Sequence, residues 1–266
     1  MSKEIIIKTK RTTNYVYLSD KGSDIPIVFL HGFTGSHRSW NEVVKRFKRS
    51  TITLDLPGHG KSVFNDLDVN YSLDDWCEDF NEILESLKIN KIDLCGYSMG
   101  GRLAVCFAVK YPEKISKLIL ESTSCGIKFK GERTVRFQED LKLCRLIEKK
   151  LPEFVEKWEN SPLFLKQKDR NPQGFLSQQK ERLSHDPKQL AKALKSFSQG
   201  TMDFYRDKIS KFKFPVVLVN GSEDVKHIEI GKNIIGICTD FKKHIIEDCG
   251  HNIHLENVDK FVEKLI

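Results

Sequence analysis

Residues 95–102 read CGYSMGGR, with Ser98 placed between Gly96 and Gly100 in a G-x-S-x-G spacing. A serine hydroxyl is a weak nucleophile and a weak base. It becomes useful only beside a base, an orienter for that base, and donors for developing negative charge. The apolar run before Ser98 and the small residues after it predict a strand, a sharp turn and a helix. That context lifts the serine above a sheet and leaves the Met99 N–H at a helix start, where an anion is favoured. The partners of such a serine follow in the chain order acid, then histidine. "NGSED" offers Asp224 and "DCGHNIH" offers His251, each just after a predicted strand. Glu223 competes with Asp224, and His254 with His251. Asp224 and His251 are preferred, the histidine because it directly follows the turn glycine. "HGFTG" at 31–35 ends an earlier strand, and the Phe33 N–H is the expected second oxyanion donor. His31 and His59, in "HGF" and "PGHG", are expected to shape loops.

These residues need a scaffold whose strand ends converge. "IPIVFL", "STITLDL", "KIDLCGY", "ISKLILE", "FPVVLVN" and "KHIIE" are short apolar, β-rich runs. Helical patterns separate most of them, and two β-rich runs open the chain. Trp40, Val43, Val44 and Phe47 mark one apolar helix face. Ser72 and Asp75 resemble a capping box, with aspartate in place of glutamate. A further helix is expected near 226–236, and "NVDKFVEKL" closes the chain. Alternation of strand and helix predicts an α/β fold with a mostly parallel sheet covered on both faces.

Residues 127–206 break the rhythm, with helical periodicity and no strand pattern. They are read as an inserted helical lid, the core being 1–126 and 207–266. The chain's net charge is +7, and this segment, with 18 basic and 11 acidic residues, carries the whole surplus. A basic surplus attracts anions. No recognisable nucleic-acid module accompanies it, so a nucleic-acid partner is not expected. No run is long enough to span a membrane, and the start has no signal-peptide pattern. The seven cysteines are odd in number and lack C-x-x-C spacing, which predicts buried thiols in a reducing cytoplasm.

These motifs, in this order, resemble the α/β-hydrolase superfamily along essentially the whole chain. "GYSMGGR", "LILESTS", "ERTVRFQED", "FVEKWENSPLF", "ERLSHDPKQLAKAL" and "CGHNIHLE" resemble one branch of it more closely. That branch is the 2-succinyl-6-hydroxy-2,4-cyclohexadiene-1-carboxylate (SHCHC) synthases, lyases of menaquinone biosynthesis. The resemblance implies elimination of pyruvate from 2-succinyl-5-enolpyruvyl-6-hydroxy-3-cyclohexene-1-carboxylate, with no cofactor and no metal. It implies a catalytic set of Ser98, Asp224 and His251, with Phe33 and Met99 as oxyanion donors. It also implies that Tyr97, Arg102, Arg136, Trp158, Phe164 and Arg182 contact the substrate, Arg133 being the alternative to Arg136. Three carboxylates on the substrate explain the arginines, whose planar forks grip carboxylates bidentately. The chain departs from the branch at Cys125, where relatives often carry proline, and at His227, where they often carry an aromatic residue. The main rival is a serine hydrolase using the same three residues. A binding protein on the same fold is the other. Oligomeric state is not set by the sequence.

Overall fold

The computed structural model describes residues 3–164, 166–234, 236–238 and 240–265. Among these residues nine strands form one sheet: β1 (Lys3–Lys8), β2 (Thr12–Ser19), β3 (Ile27–Leu30), β4 (Thr51–Leu54), β5 (Val63–Phe64), β6 (Ile92–Tyr97), β7 (Ile115–Glu121), β8 (Val216–Gly221) and β9 (Phe241–Ile246). Their order is β1-β2-β4-β3-β6-β7-β8-β9, with β5 paired to β2. Strands β4, β3, β6, β7, β8 and β9 are mutually parallel, whereas β2 runs antiparallel to β1, β4 and β5. The mostly parallel α/β architecture expected from the sequence is present.

Side chains alternate between the faces of a strand. In β3, Val28 and Leu30 enter one core while Ile27 and Phe29 enter the other. The split repeats in β8, with Val216 and Leu218 opposite Val217 and Val219. Helices α2 (Leu73–Ser86) and α3 (Met99–Lys110) cover the first face through Trp76, Phe80, Leu103 and Phe107. A 3-10 turn at His37–Trp40, α1 (Asn41–Arg46) and the closing α11 (Val258–Glu263) cover the second through Trp40, Val43 and Phe261. This double cover accounts for apolar side chains on both faces of the central strands. The Ser72–Asp75 capping box closes the start of α2: Asp75 accepts from the Ser72 N–H at 2.8 Å, and Ser72 Oγ from the Asp75 N–H at 3.1 Å.

Between β7 and β8 the described elements are all helical: α4 (Lys130–Glu159), α5 (Gln167–Arg170), α6 (Pro172–Ser184), α7 (Pro187–Ser196) and α8 (Arg206–Ile209). Helix α4 is interrupted by non-helical backbone at Lys150, two residues before Pro152. Proline cannot donate to the preceding turn and clashes with its carbonyl, which accounts for a break there. Trp158, Phe154 and Leu190 give these helices a small core of their own, into which Phe33 packs. After β8, α9 spans Val225–Gly231, shorter than the helix expected near 226–236; residue 235 lies outside the described ones. A short α10 (Ile253–Glu256) follows β9. Among the described residues, no helix is long and apolar enough to cross a membrane.

Candidate active site

Ser98 sits between β6 and α3 with φ 51° and ψ −109°. Few L-residues adopt a positive φ, so the surrounding contacts must impose it. The Ser98 N–H donates to Glu121 O at 2.9 Å, while Ser98 O accepts from Thr123 Oγ1 at 2.7 Å and from the Arg102 N–H at 3.1 Å. The turn closes only because its neighbours lack side chains. A Cβ on Gly96 would lie 2.4 Å from Gly100 O, and one on Gly100 would lie 2.3 Å from Leu30 O. The elbow is therefore pressed against the end of β3, where the 31–35 loop begins.

The structure brings the three candidate catalytic side chains together. His251 Nε2 is 3.0 Å from Ser98 Oγ, and His251 Nδ1 is 2.6 Å from Asp224 Oδ2. The imidazole and the carboxylate are both buried. Burial alone would raise the Asp224 carboxyl. Hydrogen bonds from His227 and His251 outweigh it and hold the group below the usual carboxylate range. The two competitors have other partners. His254 turns Nδ1 to the buried Glu121 at 2.8 Å and stacks on Trp40. Glu223 pairs with Arg170 at 2.6 Å and Lys166 at 3.1 Å, tying the α5 region to the end of β8.

Met99 opens α3, so its N–H belongs to the group that has no partner inside the helix. A Cβ on Gly32 would be 3.6 Å from Ser98 Cβ, which places the loop carrying Phe33 beside the serine. His31 holds that loop in place. Its Nδ1 faces Gly32 O at 2.7 Å and its Nε2 accepts from the Leu56 N–H at 2.9 Å. Burial pushes the His31 imidazole down to about 4, so it is neutral near pH 7.

The predicted substrate contacts fall into two groups. Tyr97, Phe164 and Arg182 line a cavity of about 20 Å³ together with Gly32 and Phe33. Tyr97 packs on His251 at 5.2 Å between ring centroids, and Phe164 at 6.0 Å. Trp158 lies at 5.6 Å from Phe33 and 5.9 Å from Phe164. Arg182, only 3% exposed, donates to Glu159 Oε1 at 2.8 Å and Gln178 Oε1 at 3.0 Å, and lies over the Phe164 ring. The second group is Arg102 and Arg136. Arg136 is held by Asp140 at 2.9 Å and Gln199 at 3.2 Å. Arg102 donates to Phe197 O at 3.0 Å and, among the described residues, pairs with no carboxylate. Burial and then the charge of Arg136 push the Arg102 guanidinium down to about 10. Both shifts disfavour the cation, so a bound anion would relieve them. Arg133, the alternative to Arg136, donates to Ile127 O at 3.0 Å.

One member of the site, His227, entered the sequence reading only as a departure from the branch and with no role. His227 turns Nδ1 to Asp224 Oδ1 at 2.9 Å, so the carboxylate bridges two imidazoles. An Asp-x-x-His spacing at a helix start was the available signal. The three residues are close enough to suggest a metal centre, with ligand atoms within 4.8 Å of one another. Both imidazoles, however, direct Nδ1 at the carboxylate, and His251 spends Nε2 on Ser98. The arrangement reads as a hydrogen-bonded array.

A family model for the alpha/beta hydrolase fold matches residues 25–258. A Bacillus subtilis protein provisionally named as a 2-succinyl-6-hydroxy-2,4-cyclohexadiene-1-carboxylate synthase is 36% identical over 235 residues, covering 86% of this chain and 85% of that protein. The synthase of that name from Citrobacter koseri is 28% identical, covering 90% and 91%. The solved structure of MenH from S. aureus superposes with a TM-score of 0.89 at 31% identity, covering 94% of this chain and 96% of that one.

Proposed function

The chain belongs to the alpha/beta hydrolase fold family and, within it, to the group of SHCHC synthases, and from that premise we propose the reaction and the role of each residue. The protein is a carbon–oxygen lyase of menaquinone biosynthesis. It eliminates pyruvate from 2-succinyl-5-enolpyruvyl-6-hydroxy-3-cyclohexene-1-carboxylate and leaves SHCHC. The observation that carries a lyase over an ester hydrolase is the cation set. Arg102 stands one turn beyond Ser98 with no carboxylate partner among the described residues, Arg136 lies beside it, and Arg182 lines the cavity by Phe33. A neutral ester leaves the Arg102 cation uncompensated, whereas a substrate carboxylate pairs with it; Arg136 and Arg182, already held by Asp140 and Glu159, add donors beside it.

In this reading Ser98 acts as a general base. Its oxygen takes the proton from the ring carbon that carries the succinyl ketone, while its own proton passes to His251 Nε2, 3.0 Å away. The ring electrons expel the enolpyruvyl group by breaking its C–O bond. His251 returns the proton to the departing enolate, which tautomerises to pyruvate. Asp224 keeps His251 oriented and stabilises its cationic form, as an acid does in this constellation. The Phe33 and Met99 amides stabilise the enolate oxygen that develops on the succinyl ketone, each donor of this kind being worth about 3–4 kcal/mol. The 127–206 segment acts as a lid that excludes water and strengthens every charge term beneath it. Tyr97, Trp158 and Phe164 hold the ring.

The test is pyruvate release from the enolpyruvyl cyclohexene substrate, coupled to NADH oxidation by lactate dehydrogenase, beside Ser98→Ala. Release well above spontaneous decay, lost in the variant with substrate still bound, is the expected result. Folded wild-type protein that gives no acceleration but cleaves simple esters would replace the lyase with a hydrolase.

A further inference from the structure

His227 reaches both the acid and the base of the proposed array. It is the third residue of α9, and Asp224 is the N-cap of that helix, accepting from the His227 backbone N–H. Its Nδ1 lies 2.9 Å from Asp224 Oδ1, while His251 holds Oδ2 at 2.6 Å. The two imidazoles lie 4.4 Å apart, tilted by 38°. We infer that His227 is a positioning residue that acts through Asp224, setting the proton affinity of His251 and with it the acidic limit of activity.

The argument rests on how a carboxylate divides its charge. With both oxygens engaged, Asp224 cannot rotate away from His251, and its attraction for an imidazolium is shared with a second donor. Removing that donor concentrates the charge on the His251 side and makes His251 easier to protonate. A protonated His251 cannot take the Ser98 proton, so activity is then lost at a higher pH. His227 itself stays neutral over the working range, because burial pushes it down to about 4 against the opposing pull of Asp224. Once it does protonate, its charge faces His251 directly. The other charged groups around it are Asp224 and Lys226 of its own turn and His251 from the turn after β9. Lys166 and Arg170 line the adjoining cleft with Asp224 and His251, and both are paired to Glu223.

This inference rests on the lyase reading for its kinetic consequence, so the experiment has a readout that needs no turnover. The titration midpoint of His251 is followed by imidazole NMR in wild type, His227→Phe and His227→Asn, with the kcat/KM profile for pyruvate release beside it. Phenylalanine keeps the ring and loses the donor; asparagine keeps a neutral N–H near the place of Nδ1. The phenylalanine variant is expected to raise the His251 midpoint by about 0.5–1 unit. Its acid limb should move by the same amount, with a loss at pH 6 about 3–10-fold larger than that at pH 8.5. The asparagine variant should lie close to wild type on both measures, and it carries the test alone if the phenylalanine variant does not fold. Midpoints that coincide in wild type and the phenylalanine variant, or a loss equal at all pH, overturn the inference. An asparagine variant that shifts as far as phenylalanine overturns it too. Wild-type protein that releases no pyruvate yet shows the NMR shift overturns the lyase reading and leaves the role of His227 standing.

Discussion

Glu159→Gln isolates the charge that balances Arg182. In the structure Glu159 Oε1 accepts from Arg182 at 2.8 Å and Oε2 accepts from Gln179 Nε2 at 2.7 Å. Both members of the pair are almost fully buried, at 7% and 3% exposure. A glutamine has one oxygen for two donors, so one donor must face an NH₂ group, and the arginine is left without a counter-charge. Breaking a buried pair by removing one partner costs about 3–5 kcal/mol. With an unfolding entropy of about 2.1 cal/mol/K per residue, a 266-residue chain should lose about 5–9 °C of Tm. A bound carboxylate can take over the missing charge. The variant should therefore gain more Tm from saturating SHCHC than wild type does, and the gap should narrow. Scanning fluorimetry with and without product measures both. A free-protein loss below about 1 °C would refute the claim that this pair is effectively buried. A full loss that product does not narrow would refute the placing of Arg182 against the substrate.

Two further outcomes follow from the elbow and the acid. Gly100→Ala would set a Cβ 2.3 Å from Leu30 O and 2.5 Å from His31 O, forcing the Phe33 loop away from Ser98. A kcat loss of about 10²-fold or more, with a folded circular dichroism spectrum, is expected if that loop carries an oxyanion donor. Asp224 should make stability depend on acid pH. Its folded carboxyl lies below the unfolded value of about 3.9, so its contribution is complete above that value and drains away as pH falls through the folded one. Urea midpoints between pH 2 and 6 should show a shallower acid-side decline in Asp224→Asn than in wild type.

Ser98, Asp224 and His251 were legible because each stands at a strand end with a local signal: bracketing glycines, an acid after an apolar run, a turn glycine before the histidine. The choice of His251 over His254 was legible for the same reason. The destination of His254 was not, since Glu121 lies 133 residues away and no local pattern links them. Strands β3, β4 and β6–β8 announced themselves as largely apolar runs, while β9, Phe241–Ile246, is half lysine and histidine and was legible only in its second half. The two-residue β5 carries no period at all. The helical segment was legible as a block but not in its internal packing. Arg182 was legible as a cation, yet its counter-charge Glu159 lies on another helix, 23 residues earlier, and only tertiary packing joins them. His227 escaped because an i, i+3 bond from an N-cap aspartate looks like ordinary helix capping until the second imidazole is seen on the same carboxylate.

The cavity of about 20 Å³ beside Phe33, Tyr97, Phe164 and Arg182 has room for about one water molecule. Organic ligands of moderate size occupy pockets of about 300–1,000 Å³. A substrate ring that touches all four of these residues at once therefore needs them further apart than they stand here, whereas the adjoining cleft of about 790 Å³ beside Asp224 and His251 already has that width. The measured affinity is then the intrinsic affinity scaled by the fraction of time those four residues spend apart. On that reading, residues that never touch the substrate, such as those fastening the α5 region to Glu223, bear on how tightly it is captured. Two homologues with identical arginines and identical triads can on this ground differ in KM by orders of magnitude.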